Sequence, residues 1–395
     1  MKKLLKKRMK IHSLAIFRNI VSDNVVMKLS LLLESETLSD FEKISRYGDF
    51  VSELFKAGGN LSAYLLSLVL EDENVYMLKK ARGEQIPEYM EKCLLSELDI
   101  IEEIASLKSS EIKEAIGYDG YLPEWETSQI DFAEVYMERI KNISRCGYGI
   151  FAKYHAFIFD GKNLLPVKSP DAIKLSQLGG YALERQKLID NTVALLENKP
   201  AANVLLYGDA GTGKSSSVKA VANEFKDRGL RLVEISKKQL KELPALINIL
   251  GKNPLKFILF IDDLSFSKDD DDFGALKAVL EGSVSSKTPN VAIYATSNRR
   301  HLVKESFSDR NGDDIHINDT IEELVSLSAR FGLAINFSKP DKELYLEIVS
   351  KLAEQYEINM EKEKLFTEAE AFALRKGGRS PRAAKQFVEY LKARG

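Results

Sequence analysis

The chain has 395 residues, with 57 Lys and Arg against 59 Asp and Glu, a formal net charge of −2. That balance argues against a polycationic nucleic-acid coat or membrane binder, which would carry a global basic excess. Two cysteines (Cys93, Cys146) and four scattered histidines argue against a disulfide framework or a zinc site, and the length allows two or three domains, each with its own core.

The first ten residues hold Lys2, Lys3, Lys6, Lys7, Arg8 and Lys10. The following stretch, Ile11 to Phe17, is too short and polar for a signal-peptide core, so the segment reads as a solvated basic tail. Docking of this tail onto phosphate-rich surfaces is the weaker reading. No apolar run approaches the roughly 18 residues of a membrane span, and the expected compartment is the cytoplasm.

Residues 1–148 read as a mostly helical domain. Leu94, Leu98, Ile101, Ile104 and Ala105 recur at helical spacing, and Ala63 to Leu70 follows two candidate caps, Asn60 and Ser62. Gly58-Gly59 and the stretch from Gly117 to Pro123 mark turns. Between Gly149 and Phe159 the apolar residues Phe151, Phe157 and Phe159 alternate and Asp160-Gly161 follows, which predicts a β-hairpin closing this region, with a linker to residue 174.

Strands and helices then alternate. Apolar runs at 203–207, 230–235, 257–262, 291–296 and 333–337 are separated by helix-period stretches, which predicts a parallel five-stranded sheet covered on both faces. Ligands of such sheets lie beyond the carboxyl ends of the strands.

The first of these strands runs into Gly208-Asp209-Ala210-Gly211-Thr212-Gly213-Lys214-Ser215, a complete GxxxxGK[ST] phosphate-binding loop, with Ser216 continuing into the helix. Its glycines let successive backbone N–H groups face phosphate oxygens, Lys214 reaches the β- and γ-phosphates, and Ser215 holds Mg²⁺. Five apolar residues, Phe257 to Ile261, lead to Asp262 and Asp263. Asp262 suits the metal and Asp263 a water attacking the γ-phosphate. Asn298, at the tip of the next strand, suits orientation of that water. Asp269 to Asp272 reads as a solvated loop.

The region from about Leu175 to the end resembles the AAA+ ATPases. Gly180-Tyr181 with Glu184-Arg185 is similar to the adenine-side segment, the loop to Walker A, Asp262-Asp263 to Walker B and Asn298 to sensor 1. Ser326 to Leu333 resembles the segment whose arginine, here Arg330, reaches a neighbouring subunit's nucleotide; Arg299, Arg300 and Arg310 are lesser candidates. Leu205 to Gly208, Phe260 to Phe266 and Tyr294 to Leu302 resemble a bacterial AAA+ family of unassigned function, domain of unknown function 815. Most AAA+ relatives carry glutamate where Asp263 stands, whereas helicase-loader and replication-initiator relatives carry two aspartates there as this chain does, which implies slow hydrolysis.

Tyr345, Ile348, Val349, Leu352 and Tyr356 trace an apolar helix face, and Ser380-Pro381 opens a last helix. Arg382 in its first turn opposes the helix dipole, so a phosphate partner is the expected reason; by the resemblance it matches sensor 2, with Arg379 as the fallback. The expected organisation is a helical recognition domain (1–148), hairpin and linker (149–174), AAA+ core (175–338) and helical lid (339–395).

The resemblance implies an ATPase that uses ATP and Mg²⁺, a homo-oligomer (a hexamer among the candidates) completed by Arg330 in trans, and an unknown protein partner bound through residues 1–165. Alternatives are a helicase-loader-like nucleic-acid ATPase, supported only by the basic tail and Arg299-Arg300, and a P-loop kinase. A GTP switch is disfavoured because Asn198-Lys199-Pro200-Ala201 lacks the acid of a guanine-reading motif.

Overall fold

Leu94, Leu98, Ile101, Ile104 and Ala105 are all buried along one helix, Glu88–Ala105, so the helical spacing translates directly into a packed face. The computed structural model describes residues 2–34, 38–264, 272–281, 288–298 and 329–394. These divide into two compact units, Met1–Lys153 and Tyr154–Gly395.

The first unit is helical. Asn60 caps Leu61–Glu71 by accepting from Ala63 N at 3.0 Å. Ser62, the other candidate cap, is buried and instead donates to Ala105 O at 2.8 Å, joining two helices. The basic amino-terminal segment is not a solvated tail: it forms the helix Lys2–His12, with Leu4 and Ile11 buried. Lys7 pairs with Glu103 at 3.2 Å, Arg8 with Glu34 at 2.7 Å and Lys3 with Glu111 at 3.3 Å, and Lys10 also contacts Glu103. Tail-type solvation loses here because the apolar residues at positions 4 and 11 need cover and acidic neighbours neutralise the cations that come with them. The buried Glu97 carboxylate then accepts the backbone N–H groups of Ala15 (2.7 Å), Ile16 (3.0 Å) and Phe17 (3.0 Å), pinning the turn that follows.

The second unit is an α/β structure on a seven-stranded sheet: β1 (Ala156–Phe159), β2 (Leu164–Pro166), β3 (Val204–Gly208), β4 (Leu230–Ile235), β5 (Lys256–Ile261), β6 (Val291–Ser297) and β7 (Leu333–Phe337). The order is β2-β1-β4-β5-β6-β3-β7. β3 to β7 supply the expected five parallel strands, and every residue of β5 is buried, as a strand covered on both faces requires.

The hairpin departs from expectation. Residues Ile150–Lys153 are a helical turn, so the alternation through Phe151 is not a strand. Only Ala156–Phe159 is extended, and it does not close the helical region; it pairs parallel to β4, with Ala156 opposite Leu232. β2 returns antiparallel to it, through a turn in which Asp160 Oδ1 accepts Lys162 N at 2.8 Å and Asn163 N at 2.7 Å. The open edge of β4 offers backbone partners that the helices of the first unit lack.

Three helices follow β7: Lys342–Gln355, Lys362–Arg375 and Pro381–Lys392. Tyr345, Ile348 and Val349 of the first and Ala384, Phe387 and Val388 of the last are buried in a core shared with β3, β6 and β7. Asp341 caps the first by accepting from Leu344 N (2.8 Å), and Ser380 caps the last by accepting from Ala383 N (3.1 Å).

Candidate active site

Strand order puts the chemistry together. β3, which ends in the glycine-rich loop, lies between β6 and β7, and β6 separates it from β5. The acids at the β5 tip therefore reach the loop only across the tip of β6, where Thr296 and Asn298 stand.

The loop is built by backbone conformations that side chains disfavour. Gly208 has φ +134°, and a Cβ there would lie 2.1 Å from Phe337 O of β7. Gly213, at φ +93°, opens the helix Lys214–Phe225. Thr212 is buried and donates to Asp209 O at 2.9 Å. Lys214 folds back, donating to Gly208 O (2.9 Å), Asp209 O (2.7 Å) and Asn298 Oδ1 (3.1 Å). Burial holds its ammonium below the ordinary lysine range, against the opposing pull of Asp209, Asp262 and Asp263.

A second network adjoins it. Ser215 Oγ donates to Asp262 Oδ1 at 2.6 Å, and Thr296 Oγ1 donates to the same oxygen at 2.5 Å. Asp263 lies in the left-handed region (φ +52°), its N–H donating to Thr296 Oγ1 at 2.9 Å. Asn298 Nδ2 donates to Asp263 Oδ1 at 2.7 Å. Lys214, Asn298 and Asp263 thus form one chain of hydrogen bonds beside the pair Ser215 and Asp262. A hydroxyl and one carboxylate are hard oxygen donors, the sparse protein set that Mg²⁺ accepts when phosphates and waters complete its shell. Among the described residues no group of three or more His, Cys, Asp or Glu side chains could hold a metal ion.

Of the remaining residues singled out in the sequence, several pack against the loop, the strand beside it or the first helix after β7. Asp209 is exposed and its Oδ2 accepts Lys339 N at 2.9 Å. Ala210 is exposed, Ser216 half-buried. Gly180 (φ +63°) backs onto Leu344 and Ile348, where a Cβ would meet their Cδ1 atoms at 2.8 and 2.9 Å. Tyr181 is buried against Phe337, ring centroids 5.2 Å apart, and donates to Ser338 O at 2.6 Å. Arg185 is buried, donating to Leu178 O at 3.1 Å and to Gly180 O.

Arg382 comes to the loop through its backbone, N to Gly211 O at 3.2 Å, and its exposed side chain lies beside Gly211. Arg379 instead pairs with Glu370 through two contacts, 2.8 and 2.6 Å. Arg330 is not brought to this cluster. Leu333 is opposite Val204 and Phe337 opposite Gly208, so Arg330 precedes the end of β7 remote from the loop, about 13 Å of strand away at ~3.3 Å per residue. Arg299, Arg300, Arg310, Asp269 to Asp271 and Ser326 to Ser328 lie outside the described residues.

Thr296, which joins both acids, carries no motif of its own, because a threonine inside an apolar run reads as ordinary strand. Its signal is its place, two residues before Asn298. The backbone amide of Lys339 has no sequence signal at all.

A glycine-rich loop between parallel strands, acids on the next strand but one and a helical lid define an α/β P-loop protein of the AAA+ class. The chain belongs to the DUF815 family, described as a protein of unknown function, which matches residues 152–395. It is also similar to a 26S proteasome regulatory subunit 6B homolog of Dictyostelium discoideum, 23% identical over 227 residues, covering 50% of this chain and 52% of that protein. The chain thus spans about half the length of that curated relative. Among solved structures it is similar to the RuvB Holliday junction branch migration motor of Thermotoga maritima, at 15% identity and TM-score 0.37, covering 55% of this chain and 63% of that one. A single-substitution variant of the same RuvB matches at 16% identity with the same TM-score and coverage.

Proposed function

We propose that this protein binds and hydrolyses Mg-ATP and couples the nucleotide state to remodelling of a protein partner. The observation that carries this reading is the joined network at the sheet's carboxyl edge, Lys214–Asn298–Asp263 beside Ser215–Asp262. Loop amides from Asp209 to Lys214 cradle the phosphates, and Lys214 exchanges its carbonyl partners for phosphate oxygens. The Ser215 hydroxyl keeps donating its hydrogen bond to Asp262, and its oxygen remains the group that would bind the metal. Ser215 and Asp262 would hold Mg²⁺, which would supply positive charge to the triphosphate. Asp263 accepts a proton from the attacking water, and Asn298, released from Asp263, orients that water. Aspartate reaches one methylene less far than glutamate and begins tied to Asn298, which favours slow turnover.

Gly180 and Tyr181 shape the adenine side through the backbone that they hold against the first lid helix. Arg382 meets the phosphates from the lid, and Arg330, too far from its own loop, serves a neighbouring copy in a homo-oligomer. The helical unit recognises the partner. The helicase-loader alternative loses its footing in the amino-terminal cations, of which Lys3, Lys7, Arg8 and Lys10 are paired with glutamates. Among the described residues no helix is long and apolar enough to cross a membrane.

The test is release of free phosphate from ATP. Specific activity is expected to rise with protein concentration and to vanish in Lys214→Ala. Phosphate release that is unchanged in Lys214→Ala, or transfer only to an added acceptor, would overturn the reading.

A further inference from the structure

We infer that Thr296 is a positioning residue for both acids: one buried hydroxyl fixes the carboxylate of Asp262 and the backbone of Asp263. The inference rests on the nucleotide-hydrolysing reading above and adds a residue to that site. Thr296 is 2% exposed and touches neither loop nor lid through any of these bonds. Its Oγ1 donates to Asp262 Oδ1 at 2.5 Å and accepts Asp263 N at 2.9 Å, so its single proton and a lone pair are both committed. Its carbonyl accepts Leu264 N at 2.7 Å.

The need for this anchor follows from the ladder. The last register pair between β5 and β6 is Ile261 with Ala295. Beyond it the β5 chain leaves the sheet, and Asp263 takes up a left-handed conformation that a non-glycine residue holds only when its surroundings impose it. Thr296, the next residue on β6, takes over from the ladder with a side-chain acceptor for Asp263 N and a main-chain acceptor for Leu264 N. The same hydroxyl aims its proton at the oxygen of Asp262 that also receives Ser215 Oγ. The carboxylate plane is thereby set from two sides, by the loop helix and by β6. Residues that orient ligating carboxylates in this way typically change metal affinity or activity 10–100-fold when removed.

Thr296→Val keeps the shape and removes the hydroxyl; Thr296→Ser keeps the hydroxyl. Three readouts are needed: Kd for a fluorescent ATP analogue in EDTA, the Mg²⁺ concentration giving half-maximal hydrolysis, and kcat. For Thr296→Val the expected result is an analogue Kd within about twofold of wild type, a Mg²⁺ midpoint raised roughly tenfold and kcat lowered roughly tenfold or more. Thr296→Ser should restore midpoint and rate to within a few fold. If Thr296→Val does not fold, Thr296→Ala serves as the second hydroxyl-free variant. Wild-type midpoint and rate in a folded hydroxyl-free variant, or a Ser variant as impaired as Val, would overturn the inference. If wild type binds nucleotide without hydrolysing it, the hydrolytic reading fails, and the Mg²⁺ dependence of analogue binding replaces the rate as the test of Thr296. A wild-type chain that binds no nucleotide overturns both.

Discussion

His155, just before β1, is half-buried, with Nε2 at 3.3 Å from Asn223 Oδ1 on the loop helix. The Asn223 amide is oriented by its Nδ2, which donates to Asp171 O (2.7 Å) and Ile173 O (2.9 Å), so the network assigns the imidazole proton to Nε2. Burial, the leading influence, holds this histidine below its ordinary range, outweighing the Asn223 bond. The unfolded chain therefore takes up the proton first as pH falls, and stability is lost progressively below about pH 6.5, until the folded pKa is passed. Chemical denaturation at pH 7 and pH 5 should show this loss, reduced in His155→Gln; an identical pH dependence in the variant would show that His155 is not its source. Gly208 makes a sharper case. The motif identifies it as a residue that lets the loop curl, and the structure adds that a methyl group would collide with Phe337 O. Gly208→Ala should cost about 3 kcal/mol or more, read as a lowered thermal midpoint without nucleotide.

Elements carry the next level of explanation. The last helix, Pro381–Lys392, has its Ser380 cap and Pro381 where the sequence places them, and the cap sits beside the loop at Gly211. Of the two arginines near its start, Arg379 is held by Glu370 on the preceding helix while Arg382 stands at the loop. Sequence spacing leaves both open; the ion pair separates them. Arg382→Ala is expected to slow ATP hydrolysis without lowering lid stability, because it removes a cation from a positive helix end. Arg379→Ala should leave the rate near wild type and loosen the lid instead. Equal rate losses in the two would erase the distinction. The hairpin shows the opposite limit: its turn residues Asp160 and Gly161 are legible, but its place is not, since any free strand edge can take it.

At the scale of the molecule, each unit has a core of its own, one spanning Leu4 to Tyr148 and the other Tyr181 to Val388. Arg330 lies at the far end of β7 from its own loop, so mixing gives a direct test of action in trans. Arg330→Ala alone and Lys214→Ala alone should each be inactive, an arginine of this kind contributing about 10³-fold or more. Their mixture should regain a measurable fraction of wild-type activity, and no regain on mixing would leave Arg330 without a role across subunits. By itself the sequence determined the loop, the acids at a strand tip, the caps of the lid and the alternation of strands and helices, because each is written in a few neighbouring residues whose backbone preferences and burial are local. Only the tertiary structure decided that β6 lies between the acids and the loop, that Thr296 joins Asp262 to Asp263, that the basic amino terminus is a paired helix and that the hairpin extends the sheet. Those outcomes depend on which distant backbone edges and charges meet, and no short stretch of the chain contains both partners.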